Sequence, residues 1–144
     1  LVKSAKSDDG KLFKTQLYHY FCQTVDRLRP TLVILDTLAD FYAGDENNRT
    51  ETREFVSLLR RMAIKSSATI VLLSHPSQHG MTTGAGTSGS TAWSNSCRSR
   101  LYFETDAQRS KATTRRGSKA EFDPDVRYLL LKKANYSRSG TELR

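Results

Sequence analysis

The sequence has few of the residues that build disulfide frameworks and zinc sites. Only two cysteines, Cys22 and Cys97, and three histidines occur among 144 residues. The cysteines do not form a CxxC pair, which is typical of a protein in a reducing compartment. His75 and His79 have helical spacing, but Pro76 and Gly80 disfavour a helix there. We therefore expect a cytoplasmic protein without a zinc centre.

Long apolar runs are also missing. No stretch approaches the roughly 18 apolar residues of a membrane span, so we expect no membrane partner. The opening LVKSAKSDDGK has no apolar segment of the kind found in signal peptides, and it has no initiator methionine. We interpret the chain as a fragment of a longer protein.

The composition fits one basic α/β domain. The chain is 37% hydrophobic, enough for a single packed core, and carries a formal net charge of +8. From Arg98 onward, twelve Lys/Arg oppose six Asp/Glu. Such a balance permits nucleic-acid binding, although many basic surfaces are only solvated.

The first half of the chain alternates between predicted helices and strands. The first predicted helix has an apolar face, and a second, beginning at Asn48 with Glu51 as its capping partner, has another. Two short apolar runs, TLVILD and ATIVLLSH, predict strands covered on both faces of a parallel sheet. The two faces consist of Phe13, Leu17, Tyr20, Phe21 and Leu28, and of Phe55, Leu58, Leu59 and Met62.

The second half predicts further strands at RSRLYFE and VRYLLLKKANY, with TELR joined through the turn SRSG. Residues 105–125 between them are polar and basic, and we expect a flexible surface excursion.

Three residues are candidates for chemistry. Asp36 ends one apolar strand and His75 the other, and ligands of α/β folds bind at that edge. A carboxylate there can hold Mg²⁺, usually through water, and an imidazole can donate to phosphate. Arg98 is a candidate arginine finger. Each has a plain alternative: a strand-end cap for Asp36, a loop anchor for His75, and an exposed arginine for Arg98.

The combined pattern is more specific. LVILDTLADFYAGDENN, TIVLLSHPS, GAGTSGSTAWSNSCRSRLYFE and LLLKKANY, in this order, resemble the RecA-like ATPases of the RepA hexameric-helicase type, found in plasmid, phage and bacterial replication genes. The resemblance implies a RecA-like P-loop NTPase core, a mostly parallel sheet flanked by helices with a C-terminal β-hairpin region. It also implies ATP and Mg²⁺ as cofactors, a homo-oligomeric ring such as a hexamer, and single-stranded DNA as partner.

The resemblance also assigns residues. It implies that Asp36 is the Walker B aspartate, followed by Thr37, and that His75 is the sensor. Arg98 aligns best with the arginine finger, with Arg100 as an alternative. The remaining nucleotide contacts that it implies are Lys132 and Lys133.

One departure limits the expected activity. No G-x-x-x-x-G-K-[ST] motif occurs, and no acidic residue before Asp36 ends an apolar strand. We therefore expect residues 1–144 to be the C-terminal part of one RecA-like ATPase domain. The complete protein would hydrolyse ATP, and this chain alone would be inactive.

Residues 82–95, TTGAGTSGSTAWSN, carry no charge. In RecA-like rings such a loop contacts single-stranded DNA, where glycine gives freedom, hydroxyls donate to phosphate, and a tryptophan can stack on a base. The alternative is a plain flexible linker with Trp93 packed at its foot. The residues predicted to contact DNA are Gly84, Gly86, Thr87, Ser88, Ser90 and Trp93.

Our first interpretation is thus a part of an ATP-dependent DNA helicase. Two alternatives remain: a nucleic-acid-binding or regulatory module that does not hydrolyse ATP, and a recombination mediator that binds ATP without translocation.

Overall fold

The computed structural model describes residues 1–4, 12–82, 89–113 and 122–143. They form a mixed α/β protein, as predicted. The chain divides into two compact units, a first unit Leu1–Ser96 and a second unit Cys97–Arg144, where we had expected one domain.

The described part of the first unit is built around one long helix, α3. Strands and shorter helices precede it, and one strand and two short helices follow it. In order they are β1 Val2–Ser4, β2 Leu12–Lys14, α1 Gln16–Leu28, β3 Leu32–Leu35, α2 Leu38–Phe41, β4 Tyr42–Ala43, α3 Arg49–Ser66, β5 Thr69–Leu72, α4 Gln78–Thr82 and α5 Ala92–Ser96.

The strands of the first unit do not join into the single, mostly parallel sheet that we expected. Among the described residues, β1 lies between β2, which is antiparallel to it, and β4, which is parallel. Strands β3 and β5 form a separate parallel pair in which Leu32 is opposite Thr69 and Leu35 is opposite Leu72. The two apolar runs of the sequence are therefore neighbours with their carboxyl ends at one edge.

Helix α3 provides the centre of the core. Its predicted apolar stripe is confirmed, because Phe55, Leu58, Leu59 and Met62 are all buried. The predicted cap is also present, since the Asn48 side chain accepts hydrogen bonds from the backbone N–H groups of residues 50 and 51.

Helix α1 shares only Phe21 with the predicted apolar face. Tyr18, Phe21 and Val25 point to the protein interior, at positions i, i+3 and i+7. Leu17, Tyr20 and Leu28 are between 54% and 64% exposed, and Phe13 belongs to β2. The sequence of α1 contains two apolar stripes about one-third of a turn apart. Tertiary packing buries the stripe of Tyr18, Phe21 and Val25.

The parallel pair is covered on one face only, which corrects our expectation of a doubly covered sheet. Leu35 is buried, whereas Leu32 and Ile34 on β3 and Val71 on β5 are exposed. Side chains alternate along a strand, so one set packs on the core and the other faces solvent.

In its described residues, 97–113 and 122–143, the second unit has a three-stranded antiparallel sheet and one helix. Its elements are β6 Ser99–Thr105, α6 Asp106–Thr113, β7 Arg127–Ala134 and β8 Glu142–Leu143, with β7 central.

The expected excursion at 105–125 begins with helix α6, which corrects the prediction for its first part. The helix has a local cap, because the backbone N–H of Gln108 donates to the Thr105 hydroxyl at 3.2 Å. It is also tied to the sheet: Arg109 pairs with Glu142 at 2.8 Å, and its guanidinium lies 4.3 Å from the Tyr128 ring centroid.

No helix within the described ranges is long and apolar enough to span a membrane.

Candidate functional site

Asp36 is the first residue after β3 and is exposed to solvent. Within the described ranges, no hydrogen-bond donor or cation contacts its carboxylate. The strand therefore presents a free carboxylate at the carboxyl edge of the parallel pair, where α/β folds bind their ligands.

The turn after β3 is capped by other residues. Thr37 is the N-cap of α2, and the Asp40 carboxylate accepts hydrogen bonds from the Thr37 backbone N–H at 3.0 Å and hydroxyl at 3.1 Å. These bonds hold the pKa of Asp40 below its usual value. Asp36 is therefore not the cap that the alternative interpretation required. The Thr37 hydroxyl, which we predicted to contact nucleotide, is a donor to Asp40 here.

His75 lies beyond the carboxyl end of β5, at the same edge as Asp36. The backbone N–H of Leu73 donates to the Leu35 carbonyl at 2.9 Å, and that of Leu38 donates to the Leu73 carbonyl at 2.7 Å. These bonds extend the pairing past both strands and bring the two following segments together. The His75 side chain is exposed. No hydrogen bond joins its imidazole to a described residue, as a loop anchor would require.

The acidic and histidine side chains at this edge do not form a complete metal cage. In the part of the chain that the structure describes, no three His, Cys, Asp or Glu side chains lie close enough to hold a metal ion. A single carboxylate suits Mg²⁺ that keeps its waters and binds through substrate phosphates, the usual arrangement in ATPases. Asp36 fits that donor set.

Arg98 lies in the second unit, at the start of β6. Its guanidinium is 5.3 Å from the centroid of the Tyr136 ring and donates a hydrogen bond to the Tyr136 hydroxyl. Arg98 is exposed, so its side chain is accessible from solvent.

The other basic candidates are bound more closely to the second unit. Arg100 is half-buried, its Nε atom is shielded from solvent, and it is opposite Lys133 in the ladder. Lys133 donates from Nζ to the Cys97 carbonyl at 2.6 Å. Lys132 is exposed and lies over the Tyr102 ring, with Nζ 5.5 Å from its centroid. Asp36, Thr37 and His75 belong to one unit, and these four basic residues belong to the other.

Trp93 packs against the core of the first unit, and its predicted stacking on a base stays a prediction. It is half-buried on α5, and its ring centroid lies 5.1 Å from Tyr42 and 6.1 Å from Phe55, edge to face in both cases. Its indole N–H donates to the Glu46 carbonyl at 3.2 Å. The alternative that we had stated, a tryptophan packed at the foot of the loop, is the arrangement observed.

Ser90 also has a structural role, since its hydroxyl accepts from the backbone N–H of Ala92 at 3.1 Å. Its own N–H donates to the Glu46 carbonyl at 2.9 Å. The other residues predicted to contact DNA, Gly84, Gly86, Thr87 and Ser88, lie outside the described residues.

The sequence analysis missed the environment of Glu51. We expected it to complete the cap of Asn48, but it is buried and its Oε2 accepts from the Asp45 N–H at 3.0 Å and the Tyr42 hydroxyl at 3.4 Å. Burial, and then the charge of Glu51, raises the pKa of Tyr42. A glutamate at the third helical position predicts a capping box equally well, so no local signal identifies its partners.

Most of the first unit matches a known protein family. The family model described as "AAA domain" matches residues 2–81, more than half of the chain. The chain belongs to the AAA domain family. No curated protein and no solved structure shows significant similarity to it.

The match to the AAA domain includes Asp36, Thr37 and His75 and ends before Arg98. Membership gives the chain the role of a nucleotide-binding ATPase domain. The exposed carboxylate after β3 is the feature of this AAA domain that fits such a role most directly.

Proposed function

We propose that this AAA domain is part of a ring-forming, DNA-dependent ATPase of the helicase type, in which Asp36 holds the Mg²⁺ that accompanies ATP. The observation that carries the proposal is the free Asp36 carboxylate at the carboxyl edge of β3 and β5. Thr37 and Asp40 already cap the turn, and within the described ranges no side chain pairs with this charge.

Residues of the first unit supply the contacts to the nucleotide. When bound, Mg²⁺ neutralises charge on the phosphates. Asp36 would hold this ion, and the exposed imidazole of His75 would donate a hydrogen bond to a terminal phosphate oxygen.

Arg98, rather than Arg100, is the residue proposed to reach the nucleotide of a neighbouring subunit. An arginine finger must be accessible from outside its own subunit, and Arg98 is exposed whereas the Nε atom of Arg100 is buried. A planar guanidinium can bind two phosphate oxygens at once and stays charged. Lys132 is also exposed and lies over the Tyr102 ring, while Lys133 donates to a backbone carbonyl.

Single-stranded DNA is the proposed partner. The net charge of +8 favours a polyanion. Because Trp93 packs on Tyr42 and Phe55, the proposed contacts come mainly from the uncharged loop 82–95 and from basic side chains.

The first experiment tests Asp36 in the complete protein that the proposal implies. Asp36→Asn preserves shape but removes the charge, and we expect ATP hydrolysis to fall by about a hundredfold or more, because metal-held phosphate charge is worth several kcal/mol in the transition state. Asp26→Asn is the matched control, since Asp26 pairs with Lys65 on the surface. Normal hydrolysis by Asp36→Asn would contradict the proposal.

The second experiment tests whether Arg98 acts between subunits. Arg98→Ala and Asp36→Asn subunits, each inactive alone, are mixed, and we expect partial recovery of hydrolysis at interfaces that combine one intact Asp36 with one intact Arg98. Arg100→Ala replaces Arg98→Ala in the control mixture. Rings that form mixed assemblies but recover no activity would show that Arg98 does not act in trans. Binding of ATP with no hydrolysis by the complete wild-type protein would favour a non-hydrolysing module instead.

A further inference from the structure

Tyr136 is an aromatic residue in an unusual setting. It lies in the turn between β7 and β8 and is 80% exposed, the highest value among the large hydrophobic side chains that the structure describes. So exposed a ring contributes little to a core. Both described contacts of its side chain, the approach of a guanidinium to 5.3 Å from the ring centroid and the hydroxyl hydrogen bond, are with Arg98.

The backbone around this contact is held on both sides. The N–H of Asn135 donates to the Arg98 carbonyl at 3.0 Å, and Ala134 is opposite Ser99 in the ladder. Lys133 donates to the carbonyl of Cys97, the residue before Arg98, at 2.6 Å. The end of β7 therefore fixes the main chain that carries Arg98. Tyr136 directly follows Asn135, whose N–H bonds to the Arg98 carbonyl.

The contact restricts a side chain that would otherwise be free. An exposed arginine samples many rotamers, whereas a hydroxyl at its NH1 and a ring beside its guanidinium favour one direction. Because both partners are on the surface, the guanidinium is held without being buried, and it stays available to an anion.

We infer that Tyr136 is a positioning residue for Arg98, ordering its guanidinium before a neighbouring subunit's phosphate arrives. This inference rests on the proposed function, in which Arg98 is the residue that reaches that phosphate. Preorganised donors stabilise transition-state charge better than donors that must be ordered during the reaction.

The test is Tyr136→Leu in the complete protein. We expect kcat for ATP hydrolysis to fall about two- to fivefold, the size of an exposed cation–π contact, with KM for ATP unchanged. Tyr136→Phe keeps the ring and loses only the hydroxyl, so it should recover most of the loss. Tyr20→Leu, which removes an exposed tyrosine from α1, should leave kcat unchanged.

Two further measurements separate this inference from the proposed function. In an Arg98→Ala background, Tyr136→Leu should cause no additional loss, because a positioning residue acts only through its partner. In the chain itself, NMR should show a ring-current shift of the Arg98 side-chain protons that disappears in Tyr136→Leu and persists in Tyr136→Phe.

The outcomes distinguish a failure of the proposed function from a failure of the positioning role of Tyr136. If Arg98→Ala hydrolyses ATP normally, the proposed function fails. If Arg98→Ala is inactive while Tyr136→Leu keeps full activity, or if the two losses multiply, the proposed function stands and the positioning role of Tyr136 is refuted.

Discussion

Trp93 provides the sharpest test of the structure, because the two roles considered for it predict opposite results. In the first unit its ring packs edge to face on Tyr42 and Phe55, and its indole N–H donates to the Glu46 carbonyl at 3.2 Å. We expect Trp93→Ala to lower the free energy of unfolding and to leave direct contacts with DNA unaffected.

The magnitude follows from these contacts. Replacing a fully buried tryptophan by alanine costs about 3–5 kcal/mol. Trp93 is only half-buried, which reduces this loss, and the figure already includes two aromatic pairs at roughly 0.5–1.5 kcal/mol each and a hydrogen bond of about 1 kcal/mol. A loss of about 2–4 kcal/mol results, a large part of the 5–15 kcal/mol that stabilises a typical domain.

The assay is urea unfolding followed by far-UV circular dichroism, combined with binding of a single-stranded oligonucleotide. Trp93→Phe keeps an aromatic ring and loses the hydrogen bond, so we expect about 1–2 kcal/mol. Leu17→Ala, at an exposed position on α1, is the control and should change little. Unchanged stability of Trp93→Ala together with DNA binding weakened by about 1–3 kcal/mol would show that the ring stacks on a base and would refute the packing argument.

Three other predictions concern the segment before α3. Gly44→Ala should lower the free energy of unfolding in urea by about 1–3 kcal/mol, because a Cβ there would lie 2.6 Å from both Glu51 Oε2 and the Tyr42 ring. Wild-type stability of this variant would mean that the two side chains can move away without cost. Asn48→Ala should lose about 1 kcal/mol with the N-cap, whereas Asn47→Ala, at an exposed neighbouring position, should not; equal losses would argue against the cap. Since the pKa of Tyr42 is raised by burial, the unfolded chain ionises first, and stability should fall as pH rises above about 10. Tyr42→Phe should reduce that fall and leave the part due to Tyr18, whose pKa is also raised by burial; an unchanged fall would show that Tyr42 does not contribute to it.

Patterns confined to one element were predictable from the sequence. The buried stripe of α3 repeats over two turns, and Asn48 is followed by the N–H groups that it caps. Asp36 and His75 were identified as candidates because each follows a short apolar run, and the observed parallel pairing of those runs puts both beyond the same edge. Such features depend on spacing along the chain, which the sequence states directly.

Other features depended on partners far along the chain. Helix α1 has two apolar stripes, and only packing decided that Val25 would be buried and Leu17 exposed. Glu51 satisfies a capping pattern, yet its carboxylate bonds to Tyr42 and Asp45.

The candidate site also combines features set by the local sequence with features set by distant contacts. Composition alone allowed Trp93 to stack on DNA or to pack on Tyr42, and allowed either Arg98 or Arg100 to reach a phosphate. The tertiary structure buried one face of Trp93 and shielded Arg100 Nε, because a side chain's exposure is set by what folds against it. The sequence by itself indicated the candidate residues; the tertiary structure decided which of them remain accessible, since burial is a property of contacts between distant segments and not of local spacing.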